Sequence, residues 1–393
     1  MKTLLSLSVL AFLISALTAY SQDLEWTKTF GGSSQDEGLH AIATPDGGYL
    51  AVGSTQSYKS NSKAHESGYA VKTDANGAVE WERAFGAHLI TDPRAVYAVA
   101  DGYIVLGSIR QFDSTQNDAW LAKLDLGGTL VWEKVYPANG DDPIYRAAPT
   151  ADSGYILMGD SPNGALLIKV TSTGEMQWRK AYGGMTIPRG FDQTTDGGYI
   201  VVGIATAAPA INGDIALLRV SDSGDSLWSR LYGTSSHEDG YAVRQAQDGG
   251  FVIVGTTNAK FDQDLYIIRT DSNGIYRSSR VHEEQGEENR VLDMIRYRDG
   301  FLGVGGTDIS ATQSRVQLTM IGQDGVPVWS KRYGPESLSS YKSGRSIQET
   351  STGFIIAGAN EYGDNANIML MKIGGEPSRG GATLELCSPI NLR

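Results

Sequence analysis

The sequence predicts an all-β fold in which seven four-stranded blades close into a ring, a seven-bladed β-propeller, and three observations lead there. One phrase, Asp196-Gly197-Gly198-Tyr199-Ile200-Val201-Val202-Gly203, recurs seven times, beginning at Asp46, Asp101, Asp152, Asp196, Asp248, Asp299 and Thr352. In every copy an aromatic residue (Tyr49, Tyr103, Tyr155, Tyr199, Phe251, Phe301 or Phe354) stands four residues before a glycine (Gly53, Gly107, Gly159, Gly203, Gly255, Gly305 or Gly358). The copies lie roughly 50 residues apart, a period typical of propeller blades, and no segment keeps an apolar period of 3.6.

The unit from Leu39 to Gly86 reads as four short strands: LHAIAT, a PDGG turn, YLAVGST, a long polar connection, YAVKTD, an ANG turn and AVEWERAFG. Glycine and Asn-Gly turns supply the positive φ that tight hairpins require. The glycines are accordingly read as turn residues that punctuate strands.

The third strand carries a basic position, occupied by Lys72, Lys123, Lys169, Arg219, Arg269 and Lys372 and failing only at Met320. Alternation predicts a half-buried strand on which this side chain covers apolar surface and carries its charge to water. The fourth strand carries Trp81, Trp132, Trp178, Trp228 and Trp329, with Tyr276 expected in place of tryptophan in the fifth unit.

A further copy, Trp26 in WTKTFGG, precedes the first unit, whereas the seventh unit has no fourth strand of its own. The segment Trp26 to Phe30 is therefore expected to complete the last blade and remove the open edge.

Residues 1–21 have the form of a signal peptide: Met1-Lys2, an apolar run from Leu4 to Ala19, and small residues at Ala19 and Ser21. The expected organisation is leader 1–21, propeller 22–373 and tail 374–393, and the expected location is periplasmic, cell-surface or extracellular. No later run approaches the roughly 20 apolar residues of a membrane-spanning helix. The single cysteine, Cys387, provides no internal disulfide, so stability must come from packing. A net charge of -12 argues against nucleic acid or an anionic membrane as partner.

The phrases W-x-x-x-[FY]-G-G, D-G-G-[YF]-x-x-x-G and [KR]-x-D-x-x-G resemble a bacterial β-propeller repeat family of exported and cell-surface proteins, similar to the delta-60-type repeats and to secreted Bacteroidetes propellers. The resemblance spans about Glu25 to Ile373 and implies a fold more than an activity. KTDANGAVEW is also similar to the Asp-x-x-x-Gly-x-x-x-Trp motif of quinoprotein and outer-membrane-assembly propellers, in which the tryptophan docks blade against blade. Quinoprotein dehydrogenases have eight blades and a vicinal cysteine pair; seven units and one tail cysteine speak against a cofactor, and none is expected.

If the DGG and ANG turns share one face, the long connections share the other, and ligand contacts are expected there. Counting nine residues back from each DGG aromatic reaches His40, Arg94, Arg146, Gly190, Ala242, Leu292 and Arg345, with Arg189 one residue earlier in the fourth unit. His40, Arg94, Arg146, Arg189 and Arg345 are therefore a candidate ring at the mouth of the central channel. Guanidinium groups so placed would grip an acidic sugar or another carboxylate. The competing and preferred reading pairs them with nearby Asp92, Asp141, Asp142 and Glu336, which would neutralise the ring.

His237-Glu238-Asp239 and His282-Glu283-Glu284 have no metal-ligand spacing and read as solvated loop charge. Asp74-Ala75-Asn76-Gly77 and Asp271-Ser272-Asn273-Gly274 read as hairpin turns, being too short for calcium loops. No set of nucleophile, base and orienting group is evident, and no catalytic or metal-ligating residue is assigned. The sequence thus points to an exported, non-enzymatic, monomeric scaffold that binds a glycan or a protein through its long-loop face. A polysaccharide lyase or hydrolase on the same scaffold, or a purely structural surface protein, are the alternatives.

Overall fold

The computed structural model describes residues 23–137, 140–206, 213–259, 263–282, 287–310, 313–334, 341–362 and 365–375. The proposed leader, Glu336, Glu283, Glu284, Cys387 and all but the first two residues of the proposed tail lie outside them. The described chain forms 28 strands, β1 to β28 in chain order, in seven four-stranded antiparallel sheets: the protein is a seven-bladed β-propeller. Among the described residues no helix is long and apolar enough to cross a membrane.

The innermost strands are β2 (Asp36–Ala43), β6 (Ile90–Val99), β10 (Ile144–Pro149), β14 (Ile187–Gln193), β18 (Glu238–Gln245), β22 (Glu288–Tyr297) and β26 (Tyr341–Thr350). Each packs beside the next, and β26 returns to β2, which closes the circle. The seventh sheet has the order β1-β28-β27-β26, so β1 (Asp23–Phe30) is the outer strand of the blade that the C-terminal β27 (Gly353–Tyr362) and β28 (Asn365–Gly374) build. Its register runs from Asp23 opposite Gly374 to Phe30 opposite Ile368, the closure that the displaced Trp26 motif predicts.

The core consists of seven hydrophobic clusters, one at each seam between neighbouring blades. The closure seam joins Phe30, Ile355 and Leu370 of the last blade to Ala41, Tyr49 and Val71 of the first. Because each blade is sandwiched between two others, its middle strands are packed on both faces. All seven residues of β4 (Ser67–Thr73) are buried, as are those of β16 (Asp214–Val220) and β20 (Asp264–Thr270).

This burial corrects the expectation for the basic position. A strand with no solvent face cannot carry a charge to water; instead Lys72, Lys169, Arg219 and Arg269 are buried and bind the aspartate that opens their own blade's DGG turn. Lys169 reaches Asp152 at 2.8 Å and Arg219 reaches Asp196 at 2.5 Å, so turn and strand are stapled within one blade. The two irregular blades fit the same logic. Met320 removes the base of the Asp299 blade, and Lys372, whose blade has Thr352 at the aspartate position, bonds to the carbonyl oxygens of Thr352 (3.1 Å) and Ile373 (3.0 Å).

The tryptophans join blades. Trp81 and Trp228 each lie against the last turn of the following blade, where a Cβ on Gly128 or Gly274 would stand 2.5 or 2.7 Å from the indole, and each meets that blade's DGG aromatic, Tyr103 or Phe251. Trp26 repeats this across the closure with Gly77 and Tyr49. Register corrects one assignment. The tryptophans pair with the basic position, as in Trp228 opposite Arg219, but in β21 (Tyr276–His282) Arg269 faces Ser278. Tyr276 sits two residues earlier, at the position of Ser226, so serine is the residue that replaces tryptophan in that blade.

Candidate functional site

The seven inner strands share one irregularity. Each slips register once in its first half, between Gly38 and His40, Pro93 and Ala95, Ile144 and Arg146, Pro188 and Gly190, Gly240 and Ala242, Val291 and Asp293, and Gly344 and Ser346. The slipped residues are Leu39, Arg94, Tyr145, Arg189, Tyr241, Leu292 and Arg345. A β-bulge redirects the side chain of its extra residue, and all seven of these line a single cavity of about 320 Å³ at the channel mouth.

The repeat's last glycine makes the bulge possible. It pairs with the residue before the slip, as Gly203 with Pro188, and a carbonyl oxygen of the inner strand presses on its Cα. A Cβ on Gly203 would lie 2.1 Å from the oxygen of Ile187, and one on Gly305 1.8 Å from that of Arg290. These glycines, placed inside the strand as YLAVGST reads, are required there by close backbone approach. Gly197 and Gly249 of the DGG turns do adopt positive φ, 86° and 83°.

The inner strands run from the blade connections to the DGG turns, so bulges in their first halves place the mouth on the face opposite those turns. Arg94 binds Asp92 through Nε at 2.9 Å and also through Nη2; Arg189 binds Asp239 at 3.0 Å and lies over the Tyr241 ring; Arg345 binds Glu37 at 2.6 Å. Burial pushes Asp92 up to about 6 despite its arginine partner.

Arg146 differs from the other three. It reaches across the channel and donates Nη2 to the carbonyl oxygen of Leu292 at 2.8 Å, and Nη1 and Nε to those of Arg345 and Arg189 at 3.4 Å. All three acceptors are bulge residues, whose carbonyls the slipped register leaves without regular ladder partners. Among the described residues no carboxylate lies within ion-pair distance of it. Burial lowers its pKa and Arg244, Arg94 and Arg345 lower it further, while Asp293 opposes them.

Below Arg146 the channel continues as a second cavity of about 230 Å³ lined in part by His40, Tyr97, Phe191, Arg244 and Asp293. Arg244 approaches Asp293 at 3.4 Å. His40 accepts the Val96 N–H on Nδ1 (3.3 Å) and lies beside the Tyr97 ring, and burial lowers its pKa to about 4.

Arg94, Arg146, Arg189 and Arg345 of the expected ring thus line one cavity, and His40 lies deeper in the channel. Of the expected partners only Asp92 joins the ring. Asp141 accepts from Asn117, Asp142 binds Arg179, and Glu336 is outside the described residues; Asp239 and Glu37 fill the places instead. Tyr145, Tyr241 and Leu39 were missed because DGG and DSG hairpins contain one residue more than DG hairpins, which moves the bulge from nine to ten residues before the aromatic.

No protein-family model matches the chain, and no curated protein matches it. Solved structures share its fold. Catalytically inactive virginiamycin B lyase from Staphylococcus aureus with quinupristin is 12% identical, with a TM-score of 0.55 over 88% of this chain and 99% of that one. Puromycin hydrolase is 15% identical, with a TM-score of 0.52 over 90% of this chain and 55% of that one. A protein from Lactobacillus plantarum is 13% identical, with a TM-score of 0.51 over 76% and 84%. At these identities the likeness is one of fold.

The remaining candidates are structural. Glu238 and Asp239 are buried, contrary to the solvated reading: Glu238 accepts from Thr234 Oγ1 at 2.5 Å and Thr257 Oγ1 at 3.0 Å, and Asp239 binds Arg189. His282 is buried as well, and Glu283 and Glu284 lie outside the described residues. Asp74 accepts the backbone N–H groups of Asn76 and Ala78, both at 2.8 Å, as a hairpin turn requires. Among the described residues no three His, Cys, Asp or Glu side chains converge as a metal ion would need.

Proposed function

We propose that this propeller is an exported, monomeric, non-enzymatic binding scaffold whose ligand seat is the channel mouth on the long-loop face. One observation carries the reading: seven bulges, one per blade, aim three arginines, two tyrosines and two leucines into one cavity while the blade framework is repeated. Binding function concentrates where a rigid scaffold presents variable residues, and about 320 Å³ falls at the small end of the roughly 300–1,000 Å³ typical of small-molecule seats. A glycan end or a short protein segment fits such a mouth.

The test is a glycan and peptide array with the mature chain and with Leu292→Trp, which narrows the mouth from one bulge. Binding by the parent and its loss in the variant is the expected result. A ligand held equally by both proteins would remove the mouth as its seat, and turnover of a bound glycan would replace the scaffold reading with that of a carbohydrate-active enzyme.

A further inference from the structure

The charge balance around the channel is uneven at one place. Arg94, Arg189, Arg345 and Arg244 each have a carboxylate partner, whereas Arg146, fifth of the guanidiniums, bonds only to backbone carbonyl oxygens. Glu66 is close enough to influence Arg94 and Asp92 electrostatically, but no hydrogen bond links it to either. Arg146 uses three of its five N–H groups, two of them in long bonds, and a guanidinium is suited to a two-pronged contact with a carboxylate. Nε of Arg189 and Nε of Arg345 are buried and find no acceptor among the described residues. Arg146 is therefore the one guanidinium along the channel, among the described residues, that has no carboxylate partner. Burying donors and a cation without such a partner is costly, and a bound anion offsets that cost.

The rest of the wall defines what carries the anion. Tyr145 and Tyr241, aimed in by their bulges, add aromatic surface, and Leu39, Leu292, Ile187 and Pro188 add aliphatic surface. Aromatic faces suit the C–H face of a sugar ring, and the partly exposed carboxylate of Glu37 can accept from hydroxyl groups.

Resting on the reading of the mouth as the ligand seat, we infer that its ligand is a hexuronate, with the carboxylate on Arg146 and the sugar ring between Tyr145 and Tyr241. A free uronic acid and the end of an acidic polysaccharide present the same chemistry. The unpartnered guanidinium favours one anionic group, so a uronate is held more tightly than a neutral hexose. A site built around a charged partner discriminates strongly against the analogue that lacks it.

The test is calorimetric titration of the mature chain with glucuronate, galacturonate, a galacturonate oligomer, glucose and galactose. Uronates are expected to bind at least about tenfold more tightly than the neutral sugars, a difference of about 1.4 kcal/mol, and to weaken as salt rises. A tighter oligomer assigns the polysaccharide end as the source, and an equal or weaker one the free acid. Arg146 also braces three bulges, so Arg146→Lys is paired with Tyr145→Ala and Arg189→Met, which leave that brace in place. Each is expected to lose at least about fivefold in uronate affinity. Uronates that fail to bind at millimolar concentration, or that bind no better than glucose, overturn the inference, and so does unchanged affinity in folded Tyr145→Ala and Arg189→Met. The array with Leu292→Trp decides the mouth separately: another ligand lost in that variant leaves the seat standing and removes the uronate.

Discussion

The carbonyl oxygen of Glu37 lies against the Cα of Gly53, where a Cβ would stand 1.8 Å from it. The same contact between inner and second strand recurs in every blade, and it lets the residue two positions further along the inner strand, here Leu39, bulge into the channel mouth. Gly203→Ala is predicted to destabilise the protein by at least about 3 kcal/mol, because backbone atoms cannot yield as a side chain can. Denaturant unfolding measures it, and a midpoint equal to the parent's would refute the role given to the glycine.

The staple between Asp152 and Lys169 is asymmetric, since the lysine is buried and the aspartate half exposed. Lys169→Met leaves a carboxylate that water can solvate and a side chain of suitable volume, as Met320 provides in another blade, so a change within about 1 kcal/mol is expected. Asp152→Ala strands the buried ammonium on the carbonyl oxygen of Val170 and should cost about 3 kcal/mol. Hydrogen bonds from Lys169 and Thr150 hold Asp152 down to about 2, so its contribution is present above pH 3.8 and lost as pH falls through about 2. Equal effects of the two substitutions would contradict this asymmetry.

Ser153 takes the DSG turn with φ of 66°, where Gly47, Gly197 and Gly249 stand in the DGG turns. Ser153→Gly should relieve that conformation and stabilise by about 0.5–1 kcal/mol, read as a higher melting temperature. A lower melting temperature would show that the serine is held by contacts worth more than its strain.

His40 is partly buried in the channel wall, where desolvation lowers its pKa to about 4. The unfolded chain therefore binds more protons between pH 6.5 and 4, so this group's contribution is complete above pH 6.5 and declines by as much as about 3 kcal/mol toward pH 4. Asp92, raised to about 6, acts in the opposite sense, gaining stability as pH falls from 6 to 3.8. The difference between parent and His40→Gln isolates the histidine and should shrink steadily on acidification. A constant difference across that range would exclude a buried neutral imidazole.

Strand number, blade order and ring closure were legible in the sequence because each repeats or is displaced as a unit: seven DGG phrases, and one tryptophan strand moved from the end of the chain to its beginning. Contacts between blades were less legible. The fate of Lys72 depends on a neighbour covering the second face of its strand, which alternation within one strand cannot reveal. Ser278 was hidden by an aromatic residue two positions away, and only register separates them. The mouth was half legible, since a fixed count from the aromatic finds Arg94, Leu292 and Arg345 but falls one residue past Leu39, Tyr145, Arg189 and Tyr241.

Because each bulge residue is set apart from the regular ladder, its identity is independent of strand pairing, although Arg189 and Arg345 also bind a carboxylate of the following blade. Positions 39, 94, 145, 189, 241, 292 and 345 amount to a seven-letter word written on an invariant frame. Duplicated blades could diverge at one letter each without disturbing their neighbours' seams, so new specificities would arise by spelling, and a designer could explore them by randomising seven codons.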